Sequence, residues 1–235
     1  MARLLAVRGV CVRMVGRSEA DLTQAGGLEH FASLVTPGCV VLHSIPTLPG
    51  AVDRDLVGAF GDRPARVVYL STTSVYGSTH LADEHTPVCE CARVETERAV
   101  QAGPWDSLIL RPAAIYGPGR GVHVAMAHGR YTLLGDGSNF ISRIHVDDLA
   151  AIVEAALLSP LTGAYPVTDQ HPCPAREIAE YCSQLLGLPL PQRAEVEDVP
   201  LSRRADRRVD GSAICRHLSV TLRYPSYKEG IPASL

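Results

Sequence analysis

The sequence predicts an α/β protein built on a parallel sheet. Three observations carry that expectation. Short β-branched runs alternate with helical patterns along the chain. The strongest run, Val67, Val68, Tyr69 and Leu70, is apolar throughout, as in strands buried on both faces. It then breaks into Ser71, Thr72, Thr73 and Ser74, which sets hydroxyl groups at the C-terminal edge of the sheet, where open α/β sheets bind ligands.

In chain order, residues 2–7 read as a short helix ended by Gly9, and residues 10–15 (VCVRMV) alternate as a strand closed by Gly16. A weakly helical stretch at 28–34 precedes a buried strand at 39–43 (CVVLH), which exits through Ser44, Ile45 and Pro46. A helix over 52–60 leads to the strand at 67–70. Residues 87–102 are helical, with Val94, Ala99 and Val100 as candidate core positions. Residues 107–110 (SLIL) form a strand that runs into Arg111-Pro112 and then Tyr116-Gly117-Pro118-Gly119, and residues 135–139 are a turn cluster. Residues 144–148 (IHVDD) open a helix over 149–158, whose acidic first turn suits the helix dipole. A short strand at 165–168, an amphipathic helix at 175–186 stopped by Gly187, a Pro/Arg-rich stretch at 189–208 and a short helix at 212–218 complete the chain.

Composition bounds the function. At 235 residues and 46% hydrophobic content the chain can bury a full core without covalent staples. A net charge of −3 gives no electrostatic basis for binding nucleic acid or an anionic membrane. No apolar run reaches the ~18 residues that span a bilayer. Seven scattered cysteines, an odd number, read as reduced thiols, and the N-terminus lacks a secretory pattern, so a cytoplasmic protein is expected. Cys89-x-Cys91 lacks redox or zinc spacing, and no metal site is expected. Lys228 is the single lysine, which excludes any mechanism that needs an ammonium group in the first two hundred residues.

Four segments in order, VVYLSTTSVYG, LILRPAAIYGPG, SRIHVDDLA and VDGSAICRHLSVTLRYPSYKEG, resemble the extended or atypical branch of the short-chain dehydrogenase/reductase superfamily, the NAD-dependent epimerase/dehydratase family. The resemblance implies a Rossmann-type doubly wound parallel sheet that binds NAD or NADP, with a small C-terminal substrate-side part. Residues 1–120 would form an incomplete dinucleotide-binding core. Residues 121–235 would hold the remaining Rossmann helix and strand (about 144–168) interleaved with the substrate side, in a single integrated domain. Family chemistry is hydride transfer at a carbon bearing oxygen. It uses a tyrosine acid/base assisted by a lysine four residues on, and a Ser/Thr that positions the substrate hydroxyl.

The chain departs from that pattern in three places. It contains no G-x-G-x-x-G, so the first strand and glycine-rich loop are expected to be missing. A mis-assigned start codon and a true truncation with weakened dinucleotide binding are both open. Between residues 17 and 39 there is too little chain for the usual helix, strand and helix. There Asp21-Leu22 resembles the pair beside the adenine, and Arg17 leans towards the 2′-phosphate of NADP or is a solvated turn arginine. Ser44, Ile45, Pro46 and Pro112 complete the expected cofactor contacts. Lastly, with Thr72 at the catalytic Ser/Thr position, Cys89 falls at the tyrosine position and Arg93 at the lysine position. Arg93 can supply charge but no proton near neutrality. Cys89 is either a titrating thiol or a buried inert one.

The remaining site candidates are Tyr76, as packing beside the site or a chemical group, and Arg111 and Arg143, as bidentate ligands for a substrate phosphate or carboxylate. His145, Asp147 and Asp148 are expected to fix the loop and the helix N-terminus. The resulting expectation is an NAD(P)-dependent epimerase/dehydratase-like oxidoreductase, NADP slightly favoured, acting on a small hydroxylated or nucleotide-sugar substrate. The alternative is a catalytically silent Rossmann relative serving as dinucleotide sensor or protein-binding module. A small-molecule partner is implied, with a homodimer through the 87–102 region as the resemblance suggests.

Overall fold

The computed structural model describes residues 2–24, 26–46, 52–199 and 204–235. Four parallel strands form the central sheet, Val40–His43, Arg66–Leu70, Asp106–Pro112 and Gly163–Val167, hydrogen-bonded to one another in chain order. Helices cover both faces. Because side chains alternate across a strand, Val67, Tyr69 and Ile109 pack with Val57, Phe60 and Val100 on one side. Val68, Leu108 and Leu110 pack with Ile144, Ile152 and Val153 on the other. That two-sided burial is why the 66–70 run carries no polar alternation.

Most predicted elements occur where expected. Helices span Ala2–Val7, Gly27–Leu34, Val52–Ala59, Ala175–Leu186 and Ser212–Leu218. Two expectations need correction. Residues 10–15 are not a strand: they run as exposed irregular chain, with no ladder partner among the described residues. Their alternation supplies β-propensity, but propensity without a neighbouring strand does not make a sheet. The helix expected over 87–102 begins only at Ala92, since Cys91 is held extended (φ −162°) as its N-cap. Val94 and Val100 are buried as expected, and Ala99 packs partly buried against the same cluster.

A second core lies beyond the sheet edge. It joins Tyr116, Met126, Tyr131 and Ile141 to Cys173, Ile178 and Cys182 of the 175–186 helix and to Tyr227 of the C-terminal tail. The tail is stitched back to the sheet at close quarters: a Cβ on Gly211 would stand 2.5 Å from the Thr168 backbone nitrogen. Asp148 takes part in that stitching. Its carboxylate does not cap its own helix but accepts the backbone N–H groups of Arg223 and Tyr224 at 2.7 and 2.9 Å. The helix Val146–Leu158 is instead capped by His145 Nδ1, which accepts the Asp147 N–H at 3.1 Å. No helix among the described residues is long and apolar enough to cross a membrane.

Candidate functional site

The strand Arg66–Leu70 delivers Ser71 and Thr72 to the C-terminal edge of the sheet. Thr72 is extended (φ −161°), and its Oγ1 accepts the Ser74 N–H at 3.2 Å, which starts a single 3₁₀ turn over Thr73–Tyr76. Gly77 ends that turn in the left-handed region (φ 60°), where a side chain would be strained. The turn forms one wall of a cavity of about 850 Å³, a size that holds one small ligand. Pro112, Ala113 and Ala114 form its floor, with Tyr131, Ser142 and Val209 contributing further walls.

The cavity's charge is one-sided. Arg120, Arg143, Arg204 and Arg207 line it, and no aspartate or glutamate does so among the described residues. Arg207 reaches in from the tail and donates to the carbonyls of Thr73 (2.8 Å), Thr79 (3.1 Å) and Gly77, so it braces the whole turn. Arg143 donates to the Ile141 carbonyl at 2.7 Å and to Cys173 Sγ at 3.3 Å. Its Nη2 is buried with no hydrogen-bond partner among the described residues, as is Ser71 Oγ on the same cavity. Both Arg143 and Arg207 are more than nine-tenths buried, and neither forms an ion pair among the described residues.

The other arginine expected to meet substrate is placed differently. Arg111 is buried with its guanidinium forked onto Glu97 (3.1 and 2.7 Å), and a third nitrogen donates to Tyr76 Oη at 3.3 Å. Burial raises the Tyr76 phenol above its ordinary pKa, against the pull of Arg111. Neither Tyr76 nor Arg111 lines the cavity.

Cys89 and Arg93 also stand outside it. Cys89 is exposed rather than buried, and its thiol is pushed above the ordinary range by local desolvation and by Cys91. Arg93 turns towards the exit of the 40–43 strand, where it donates to the Ile45 carbonyl (3.2 Å) and to Tyr69 Oη (2.6 Å) and lies 3.7 Å from Asp53. The structure therefore does not bring Cys89 and Arg93 together as an acid/base pair on the cavity. Among the described residues, no cluster of His, Cys, Asp or Glu could hold a metal ion.

Of the expected cofactor contacts, Ser44 and Pro46 are exposed at the sheet edge, while Ile45 is partly buried against the core. Pro112 joins the cavity floor. Leu22 packs against the cluster around Phe60, and the Asp21 carboxylate is taken by the Thr23 N–H and Oγ1 (3.0 and 2.6 Å). Arg17 is exposed, 3.3 Å from Asp21. Sequence reasoning missed Arg120, Arg204, Arg207 and Tyr131. The arginine run at 203–208 (RRADRR) was the available signal for two of these, and it reads as an ordinary solvated stretch until the tail is folded over the cavity.

Comparison with known proteins agrees with this architecture. A model of the NAD-dependent epimerase/dehydratase family matches residues 51–167. Protein YeeZ of Escherichia coli is 30% identical over 183 residues, which cover 74% of this chain and 64% of YeeZ. The chain spans 35% to 64% of the length of the curated relatives it matches. A functionally unknown conserved protein from Silicibacter pomeroyi superposes with a TM-score of 0.70 at 32% identity, covering 83% of this chain and 76% of that one. MoeE5, solved in complex with UDP-glucose and NAD, superposes with a TM-score of 0.78 over 99% of this chain and 92% of its own, a likeness of fold at 18% identity. The parallel sheet, the hydroxyl-bearing turn at its edge and the matched family segments together establish that this chain belongs to the NAD-dependent epimerase/dehydratase family.

Proposed function

We propose that the chain is an NAD(P)-dependent oxidoreductase of the epimerase/dehydratase type, acting on a small hydroxylated substrate that carries an anionic group, with nucleotide sugars as the representative class. One observation supports this most: Arg143 and Arg207 are buried cations that form no ion pair among the described residues, and both line the same cavity as Thr72. An isolated buried charge is costly. A phosphate or carboxylate bound between these guanidinium groups would offset that cost through charge-assisted hydrogen bonds. Thr72 would orient the substrate hydroxyl, and Arg207, by bracing the 73–79 segment, would hold Thr72 in place. The complex of MoeE5 with UDP-glucose and NAD supports the same ligand classes.

A dinucleotide along the sheet edge would meet Ser44, Ile45, Pro46 and Pro112, and when bound it would supply hydride chemistry. Its pyrophosphate finds no glycine-rich cradle among the described residues, so the chain's contacts would be those of the sheet edge and of Arg17. Arg17 is the group that would meet a 2′-phosphate.

Calorimetric titration of the whole chain with UDP-glucose, inorganic pyrophosphate, NADH and NADPH tests the reading. UDP-glucose and pyrophosphate should bind, and Arg207→Gln should weaken both at least about tenfold, the scale of one charged hydrogen bond. Equal binding by the variant, or none by the parent chain, would overturn it. Binding without turnover across a panel of sugar nucleotides would instead identify a silent relative that senses its ligand.

A further inference from the structure

The family's acid/base tyrosine has no counterpart at its expected position, and the cavity limits what could replace it. Arginines stay protonated at working pH and exchange no proton there. Lys228, Cys89 and every described histidine and carboxylate lie off the cavity wall. Among the described lining residues, one side chain can both give and take a proton with a phenol's chemistry: Tyr131. It sits between the helix Val122–Ala127 and the strand Leu133–Leu134, buried against Met126, Leu133 and Ile141, and it lines the same cavity as Thr72.

We infer that Tyr131 is the general acid/base of this cavity, taking the place of the tyrosine that the family carries on its following helix. The inference rests on the function proposed above. The proton step is simple: the substrate hydroxyl held against Thr72 passes its proton to the Tyr131 phenolate oxygen, and the reverse step returns it to the substrate oxygen. The family's lysine favours phenolate by its charge. Here Arg120, Arg143, Arg204 and Arg207 line the same cavity, and no carboxylate lines it among the described residues. One cationic lysine is thus replaced by several guanidinium groups, which suits a chain whose single lysine is Lys228.

Tyrosinate absorbance during an alkaline titration of the ligand-free chain tests this without substrate or cofactor. One of the eight tyrosines should ionise at least about one pH unit below the ordinary value near 10. Tyr131→Phe should remove that early step, and Tyr76→Phe should leave it. Saturating pyrophosphate should move the step to higher pH, because the bound anion offsets the arginine charge. Identical titrations of the parent chain and a folded Tyr131→Phe variant would overturn the assignment. If that variant does not fold, nitration of the parent chain by tetranitromethane near neutral pH decides: Tyr131 should react first and be protected by pyrophosphate, whereas preference for another tyrosine rejects it. A chain that binds pyrophosphate but shows no early tyrosine loses this inference and keeps the proposed function. A chain that does not bind pyrophosphate loses the proposed function first.

Discussion

The helix Ala92–Ala102 and the arginine-lined cavity both bury guanidinium groups, and they do so in opposite ways. Against the helix, Arg111 is forked onto Glu97, and Arg93 lies beside Asp53 and Tyr69. In the cavity, Arg143 and Arg207 donate to backbone carbonyls and one sulfur and form no ion pair among the described residues. A compensated buried cation is part of the scaffold. One that meets only neutral acceptors leaves charge available for a ligand. This distinction separates Arg111 from Arg143, which the sequence presents as equivalent candidates.

The largest effect should come from breaking the compensated side. Glu97→Ala strands Arg111 in a site only 6% exposed. Urea denaturation should show a loss of about 3–5 kcal/mol, as for other severed buried pairs. Replacing both partners by apolar residues of similar volume should recover most of it, because the stranded charge goes too. A loss below about 1 kcal/mol for Glu97→Ala would erase the contrast between the two regions.

Titration should separate the regions next. Burial lowers His43, beside Asp53 and Tyr69, from 6.5 to about 4, so it is neutral in the folded chain. The unfolded chain takes up that proton as pH falls below 6.5, so stability should drop between pH 6.5 and about 4 by about 3 kcal/mol and level off below. His43→Gln should flatten that slope. Asp169, at the end of the Gly163–Val167 strand, has the opposite sign. Burial raises it from 3.8 to about 7, so the folded state holds a proton that the unfolded state has released. Stability should therefore decline as pH rises from about 4 to 7, and Asp169→Asn should remove that decline. Equilibrium unfolding at a series of pH values reads both slopes.

Arg207 probes the uncompensated side. Arg207→Met removes a charge that burial already disfavours but also leaves three carbonyls without their donor, so the net loss should be about 1–3 kcal/mol. Inorganic phosphate should raise the melting temperature of the parent chain and not that of the variant. Equal phosphate stabilisation of both would move the anion away from this cavity.

The sheet was legible because its signal is local. Runs such as residues 67–70 and 108–110 are apolar on both faces, and the helix Ala175–Leu186 is bounded by its own amphipathic period and Gly187. Residues 10–15 carry the same kind of pattern and fail, because a strand also needs a partner, which no local pattern reports. The cavity was only half legible. Thr72 follows directly from its strand, but Arg207 reaches the turn at 73–79 across some 130 positions of chain, and its partners are backbone carbonyls that leave no trace in side-chain identity. What sets Arg111 apart from Arg143 is a glutamate on another element that pairs with it. That is a property of packing, and sequence spacing does not encode it.

The smallest effect should come from an arginine outside both regimes. Arg17 is 79% exposed at the side chain and 3.3 Å from Asp21, whose carboxylate is already held by Thr23. Water and salt screen such a pair, so Arg17→Ala should change stability by less than about 0.5 kcal/mol. The same exposure leaves its charge free for an incoming phosphate. If Arg17 meets the 2′-phosphate, Arg17→Ala should weaken NADPH binding several-fold and leave NADH unchanged, and the NADPH difference should shrink as ionic strength rises. Equal weakening of both coenzymes would place Arg17 at the pyrophosphate instead. No change in either would leave it a solvated turn residue, outside both the scaffold's ion pairs and the ligand's.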